Sequence, residues 1–251
     1  MERFSFPRLS VAVCGSLFFM SGSAPNVLEI RSVSCASGFG LPVSADFAPA
    51  RFHVLLGEAG GDSRALLRVL GLLDVPESGE VVVEGQPTRA LDEEARAELR
   101  ALRFGFVFAA PFLLASFSVI ENVAMPLFKI SQVGPEEARR RTERLLAFTE
   151  MADAAEAVID DLTLRAQYHV AVARGLANEP AILVVENLDG ALAGEELANF
   201  AALLRRVPAE FGTTVIATAS PAFAVAKEDR VLEFARGVIV RDSALQPEPE
   251  A

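Results

Sequence analysis

GEAGGDSRAL, Gly57 to Leu66, lies between the apolar run HVLL, His53 to Leu56, and the helical run LLRVLGLL, Leu66 to Leu73. Strand, glycine-rich loop and helix in that order are the frame of a phosphate-binding loop, whose consensus G-x-x-x-x-G-K-[ST] has a physical reason at each position. Backbone N–H groups cradle phosphate, the lysine reaches the terminal phosphate oxygens, and the hydroxyl ligates Mg²⁺. Counting from Gly57 through Gly60 and Gly61, the second consensus glycine falls on Asp62, the lysine on Ser63 and the hydroxyl on Arg64. The frame is kept while its chemistry is changed. Asp62 is expected to face the bound polyphosphate, and two like unit charges about 4 Å apart repel by roughly 1–4 kcal/mol between bulk water and a near-surface dielectric.

The rest of the chain offers no replacement lysine, since Lys129 and Lys227 are its only two. With 251 residues, 51% of them apolar, the chain can bury one large core or a core plus a small subdomain. A net charge of −11 argues against a nucleic-acid partner, because binding a polyanion is carried largely by Lys and Arg contacts to phosphate. Cys14 and Cys35 are too few for a disulfide framework or a zinc site, so no metal centre is expected. Residues 1–26 carry Arg3 and Arg8, then LSVAVCGSLFFM, then SGSA. Such an extension resembles a signal peptide; it reads better as a mis-assigned start, with translation beginning at Met20.

Periodicity gives strands at Val27–Val33, Arg51–Leu56, SGEVVVEG, RFGFVF, Ala181–Val185, Gly212–Thr218 and Arg230–Asp242, the last with a turn at Gly237. Helices alternate with them: Ser63–Leu73, LDEEARAELRALR and the helix of AQYHVAVARGLANEP, ending at Asn178 and Pro180, besides a mostly helical segment of about 111–165. This order predicts a doubly wound α/β core with a helical subdomain and an antiparallel β edge over 27–241, followed by a disordered tail, 242–251.

Four ordered segments carry a resemblance: LLDVPESGEVVVEGQP (72–87), ARAELRALRFGFVF (95–108), SVIENVAMPL (118–127) and VAVARGLANEPAILVVE (170–186). Together they resemble the ATP-binding cassette (ABC) ATPases, most closely the branch serving lipoprotein-release and macrolide-export type permeases. The resemblance implies a P-loop NTPase-like cassette core that pairs head to tail, each nucleotide lying between one chain's P-loop and the other's LSGGQ-like signature. It also implies a permease that chooses the substrate.

Carried over residue by residue, the family's motifs depart at every site. The Q-loop glutamine falls on Ala109, and no glutamine occurs between Gln86 and Gln132. The signature becomes LTLRAQ, with Leu164 and Arg165 after Thr163 in place of two glycines, which would obstruct a close backbone approach. The Walker B carboxylate is Glu186, and the catalytic glutamate is Asn187, which cannot take a proton from water. The D-loop aspartate falls on Ala193 and the switch histidine on Ala219. The adenine-stacking aromatic meets Ser37, with Phe39 two positions on.

Together these departures imply a degenerate cassette subunit: a scaffold or regulatory partner of a permease at the cytoplasmic face of the inner membrane, working as a homodimer or beside an intact cassette chain, without a required cofactor. The alternative is a functional ATP-binding subunit that uses substitutes, with weak ATP and Mg²⁺ binding through Arg64, Glu186 and Phe39. Against it, Arg64 sits one position late, about 100° from the lysine direction on a helix. Glu121 and Asn122 fit helix capping or permease docking equally, and Arg139–Arg141 with Arg144 fit a solvated face paired with Glu136, Glu137 and Glu143.

Overall fold

The computed structural model describes residues 25–35, 39–58 and 61–244. Expectations for residues 1–24, Ser37, Gly60 and the tail 245–251 lie outside the described residues, as does the Phe39 side chain.

The five-residue strand β3 (Phe52–Leu56) shows why the sheet sits where it does. All five of its residues are buried, Leu55 facing one core and Val54 and Leu56 the other. A strand covered on both faces belongs to a parallel sheet with layers on either side. The order in that sheet is β10 (Val238–Asp242), β9 (Arg230–Ala235), β3, β8 (Thr214–Ala219), β7 (Ile182–Val185) and β6 (Phe104–Val107). β9 through β6 run parallel, while β10 turns back antiparallel at Gly237, whose φ of 78° suits glycine. The boundary expected at residue 241 falls inside β10, where Asp242 pairs with Arg230.

A second, antiparallel sheet follows the order β2 (Phe39–Phe47), β1 (Leu28–Cys35), β4 (Ser78–Val83) and β5 (Gln86–Pro87). Between the sheets lies α1 (Asp62–Leu70), whose Leu66, Leu67, Val69 and Leu70 join Leu28, Ile30, Phe47, Val81 and Val83 on one side and Leu55, Ile182, Val184 and Ile216 on the other. The helix ends at Gly71, and Leu72 takes a positive φ, so the expected extension to Leu73 is not helical.

The opposite face of the parallel sheet is covered by α5 (Leu164–Leu176) and α6 (Gly194–Phe211), with α3 (Val119–Pro126) and α4 (Pro135–Phe148) packed outside. α2 (Glu93–Arg103) is capped by Asp92, which accepts from the Ala95 N–H. Gly105 permits the close approach of α5 to β6: a Cβ there would lie 2.0 Å from the Gly175 carbonyl oxygen. At Pro126 the helix gives way to a π-helical turn, Leu127–Ser131, because proline cannot donate the bond a continuing α-helix needs. Glu121 and Ser118 form a reciprocal capping box and Asn122 is buried on the Leu114 backbone, so both residues are engaged locally. Arg139, Arg140 and Arg141 pair with Glu136, Glu137 and Glu143, and Arg144 with Glu210.

His53, fully buried, puts Nε2 3.1 Å from the Ala48 carbonyl. Burial lowers its pKa from 6.5 to about 4. Because the unfolded chain holds the proton more tightly, the stability present above pH 6.5 is lost as pH falls toward 4. At about 1.4 kcal/mol for each pH unit, the loss amounts to about 3 kcal/mol. Urea midpoints of the wild type should therefore fall more steeply between pH 7 and 4.5 than those of His53→Gln; parallel curves would exclude this histidine as the cause.

Candidate functional site

The parallel strands end side by side, and the residues after them converge. Gly57 follows β3, Ala109 follows β6 by two positions, Glu186 and Asn187 follow β7, and Ala219 closes β8. Such a crevice at the carboxyl ends of the strands is where open α/β sheets take ligands. A cavity of about 90 Å³ lies here, lined by Gly57, Glu58, Ser63, Arg64, Ala109, Glu186, Asn187, Thr218 and Ala219.

Its centre is an ion pair. Arg64 Nε donates to Glu186 Oε1, and Glu186 Oε2 accepts from the Ala109 N–H at 3.3 Å. The Glu186 side chain is only 10% exposed, and its charge is met by the Arg64 guanidinium in contact with it and by Arg68 nearby. Arg64, expected about 100° from the lysine direction, lines the cavity with its guanidinium on the Walker B carboxylate. Its Cβ direction does not decide where a side chain this long places its guanidinium.

Asp62 also differs from its expected place. Its carboxylate accepts from the Gly237 N–H at 2.5 Å, which ties the start of α1 to the β9–β10 turn instead of aiming it into the cavity. Ser63 is buried against Gly57, where an added Cβ would meet its Oγ at 2.7 Å. Gly61 precedes α1 and offers no side-chain cap.

Asn187 takes a left-handed φ of 54°, which asparagine tolerates better than most residues. Its N–H donates to Thr218 Oγ1 at 2.8 Å, and its side chain lies over Gly190. A neutral amide here has no basic atom to accept a proton from water. Ala219 contributes its carbonyl to the Gly57 N–H at 3.1 Å and no titratable group. Ala193 precedes α6 without capping it, and Glu195 and Glu196 are exposed in the first turn.

The structure does not bring the signature-like residues to this cavity. Thr163 caps α5, Leu164 is 46% exposed and Arg165 is half-buried. Sequence reasoning missed two residues that shape the site. Thr218 holds the Asn187 backbone, and the Tyr168 hydroxyl donates to the Ala109 carbonyl at 2.5 Å. A signal for Tyr168 existed, since it is the chain's only tyrosine and a buried phenol usually finds a partner. Arg174 fixes the next stretch by donating to the carbonyls of Pro111 and Phe112.

The family model described as ABC transporter matches residues 41–188. The chain belongs to the ABC transporter family. It is 37% identical to the lipoprotein-releasing system ATP-binding protein LolD of Paramagnetospirillum magneticum over 187 residues, covering 74% of this chain and 82% of that protein. Identity to the macrolide export ATP-binding/permease protein MacB of Chromobacterium violaceum is 34% over 204 residues, 80% of this chain and 31% of that longer protein. The dimeric post-hydrolysis structure of the ATP-binding cassette MJ0796 bound to ADP and Pi superposes with a TM-score of 0.76 at 26% identity, covering 88% of this chain and 99% of that one. The chain is thus an ABC transporter ATP-binding-type subunit of the LolD- and MacB-like branch, with the cassette's α/β architecture. No helix among the described residues is long and apolar enough to cross a membrane.

Within this family's frame the donor set can be tested for Mg²⁺, an ion that takes oxygen ligands in a tight octahedron. Position 64 presents N–H donors and positive charge instead of a hydroxyl, and both Glu186 oxygens are already engaged. No cluster of three or more His, Cys, Asp or Glu residues suited to a metal occurs among the described residues. The residues here do not fit the ion.

Proposed function

We propose that this cassette is a scaffold or regulatory subunit of a lipoprotein-release or export type transporter, held by a membrane permease at the cytoplasmic face of the inner membrane, with little or no ATP hydrolysis of its own. The observation that carries this is the Arg64–Glu186 pair beside a neutral Asn187, which leaves neither a metal site at Glu186 nor a general base at position 187. In a head-to-tail pair, Leu164 and Arg165 would also crowd the site on the other chain. A homodimer would have no competent site, and a heterodimer with an intact cassette would have two altered ones.

The alternative is an ATP-binding subunit that uses substitutes. Two findings favour it: the relatives are named as ATP-binding proteins, and Arg64 lines the cavity, where a guanidinium is a competent phosphate ligand.

The test is to purify the full chain with its membrane complex and measure phosphate release after inactivating any intact cassette chain found with it. The scaffold function requires copurification with a permease and complete loss of turnover. Turnover that survives, and that falls when Asn187 or Glu186 is replaced in this chain, would establish the alternative.

A further inference from the structure

Arg64 stands where the family frame places the metal-ligating hydroxyl, and Glu186 where it places the metal-ligating carboxylate; the inference rests on that assignment. Between these positions the structure has a direct ion pair. We propose that the Arg64 guanidinium is a built-in cation that closes Glu186 to divalent ions, so the cavity neither needs nor accepts Mg²⁺.

Three observations converge on this. Glu186 is almost wholly buried and needs a positive partner, which Arg64 supplies through its Nε. Its second oxygen accepts from the Ala109 N–H, whose own carbonyl is held by Tyr168, so the carboxylate is fixed from the side facing α5. An incoming ion would have to displace a guanidinium and meet its charge at contact range. Of the other acidic groups close by, Glu58 lies at the rim of the cavity, and Asp62 is committed to the Gly237 N–H. The result is a link from α1 through β7 to α5 that is complete without a ligand: Arg64, Glu186, Ala109, Tyr168.

The experiment needs no nucleotide, so its outcome is separate from whether the cassette hydrolyses ATP. Melting temperature and the free-Mn²⁺ EPR signal are measured on the full chain with millimolar Mg²⁺ or Mn²⁺, against KCl of equal ionic strength. The wild type should melt at the same temperature in all three and leave the Mn²⁺ signal at its buffer value. Arg64→Ala strands the carboxylate and should melt about 3 °C lower. Mn²⁺ should restore part of that loss, and adding Glu186→Gln to the variant should abolish the restoration. Arg64→Lys, which keeps a charge, covers the case in which the alanine variant does not fold and should stay insensitive to metal. One Mn²⁺ bound per wild-type chain and lost in Glu186→Gln would overturn the proposal, as would an Arg64→Ala variant that melts like the wild type and ignores Mn²⁺.

Discussion

Ser63→Lys combined with Arg64→Ser should bind Mg·ATP about 100-fold more tightly than the unaltered chain. A lysine reaching phosphate makes a charge-assisted bond worth about 1.5–3 kcal/mol, and freeing Glu186 restores one oxygen ligand of the metal. Together these come to about the 2.7 kcal/mol that corresponds to about 100-fold in affinity. Either change alone should gain less than half of this in free energy. Ser63→Lys alone leaves Arg64 on the carboxylate, and Arg64→Ser alone leaves no cation for phosphate. At saturating Mg·ATP the double variant should melt about 5–10 °C higher, while the wild type is unmoved. Equal shifts in both would mean that the native loop already binds nucleotide and that Arg64 serves it.

A second large effect is expected far from the cavity. Asp229 is fully buried, and Arg205 reaches it from α6 with Nε at 2.9 Å from Oδ1 and Nη2 at 2.7 Å from Oδ2. The guanidinium also lies 5.5 Å from the Phe52 ring centroid and 5.7 Å from that of Phe223, so one side chain joins α6, β3 and the segment before β9. Arg205→Ala leaves the carboxylate buried without its charge partner, at a cost of about 3–5 kcal/mol. The melting temperature should fall by about 10 °C. Arg205→Lys should recover only part of this, because an ammonium cannot make the paired contacts of a planar fork. Chemical denaturation gives the number directly, and a loss under about 1 kcal/mol would show that Asp229 is neutral or solvated when folded.

The fold was legible because its decisive strands are strongly patterned. β7 is a continuous apolar run, β3 and β8 are mostly apolar and buried along their whole length, and the glycine-rich loop after β3 announces a strand-to-helix turn. β2 escaped notice because Pro42 and Gly40 interrupt it, although Val43, Ala45 and Phe47 alternate inward as a strand with one buried face requires. The π-helical turn after Pro126 escaped because an apolar run of helical period does not reveal which hydrogen bonds proline removes.

At the site, the positions were legible and the directions were not. The strand order brings Gly57, Ala109, Glu186, Asn187 and Ala219 together, as motif spacing implied. Helical phase gave a direction for Arg64 but not its partner, because a long side chain can bring its guanidinium to a carboxylate from more than one Cβ direction. Asp62 found its partner in the β9–β10 turn, a contact across 175 residues that no local pattern encodes. Tyr168 and Thr218 act through backbone groups of Ala109 and Asn187, and such contacts become visible only once the strands are aligned.

The most direct measurement is single-turnover hydrolysis, with the purified full chain in excess over radiolabelled ATP and Mg²⁺. Excess protein makes even weak, slow catalysis visible as stoichiometric conversion. Phosphate release at the buffer rate, unchanged by Asn187→Ala or Glu186→Gln, is the predicted result. Release that follows the chain through purification and falls in either variant would contradict the account and make this cassette an ATPase working with substituted residues.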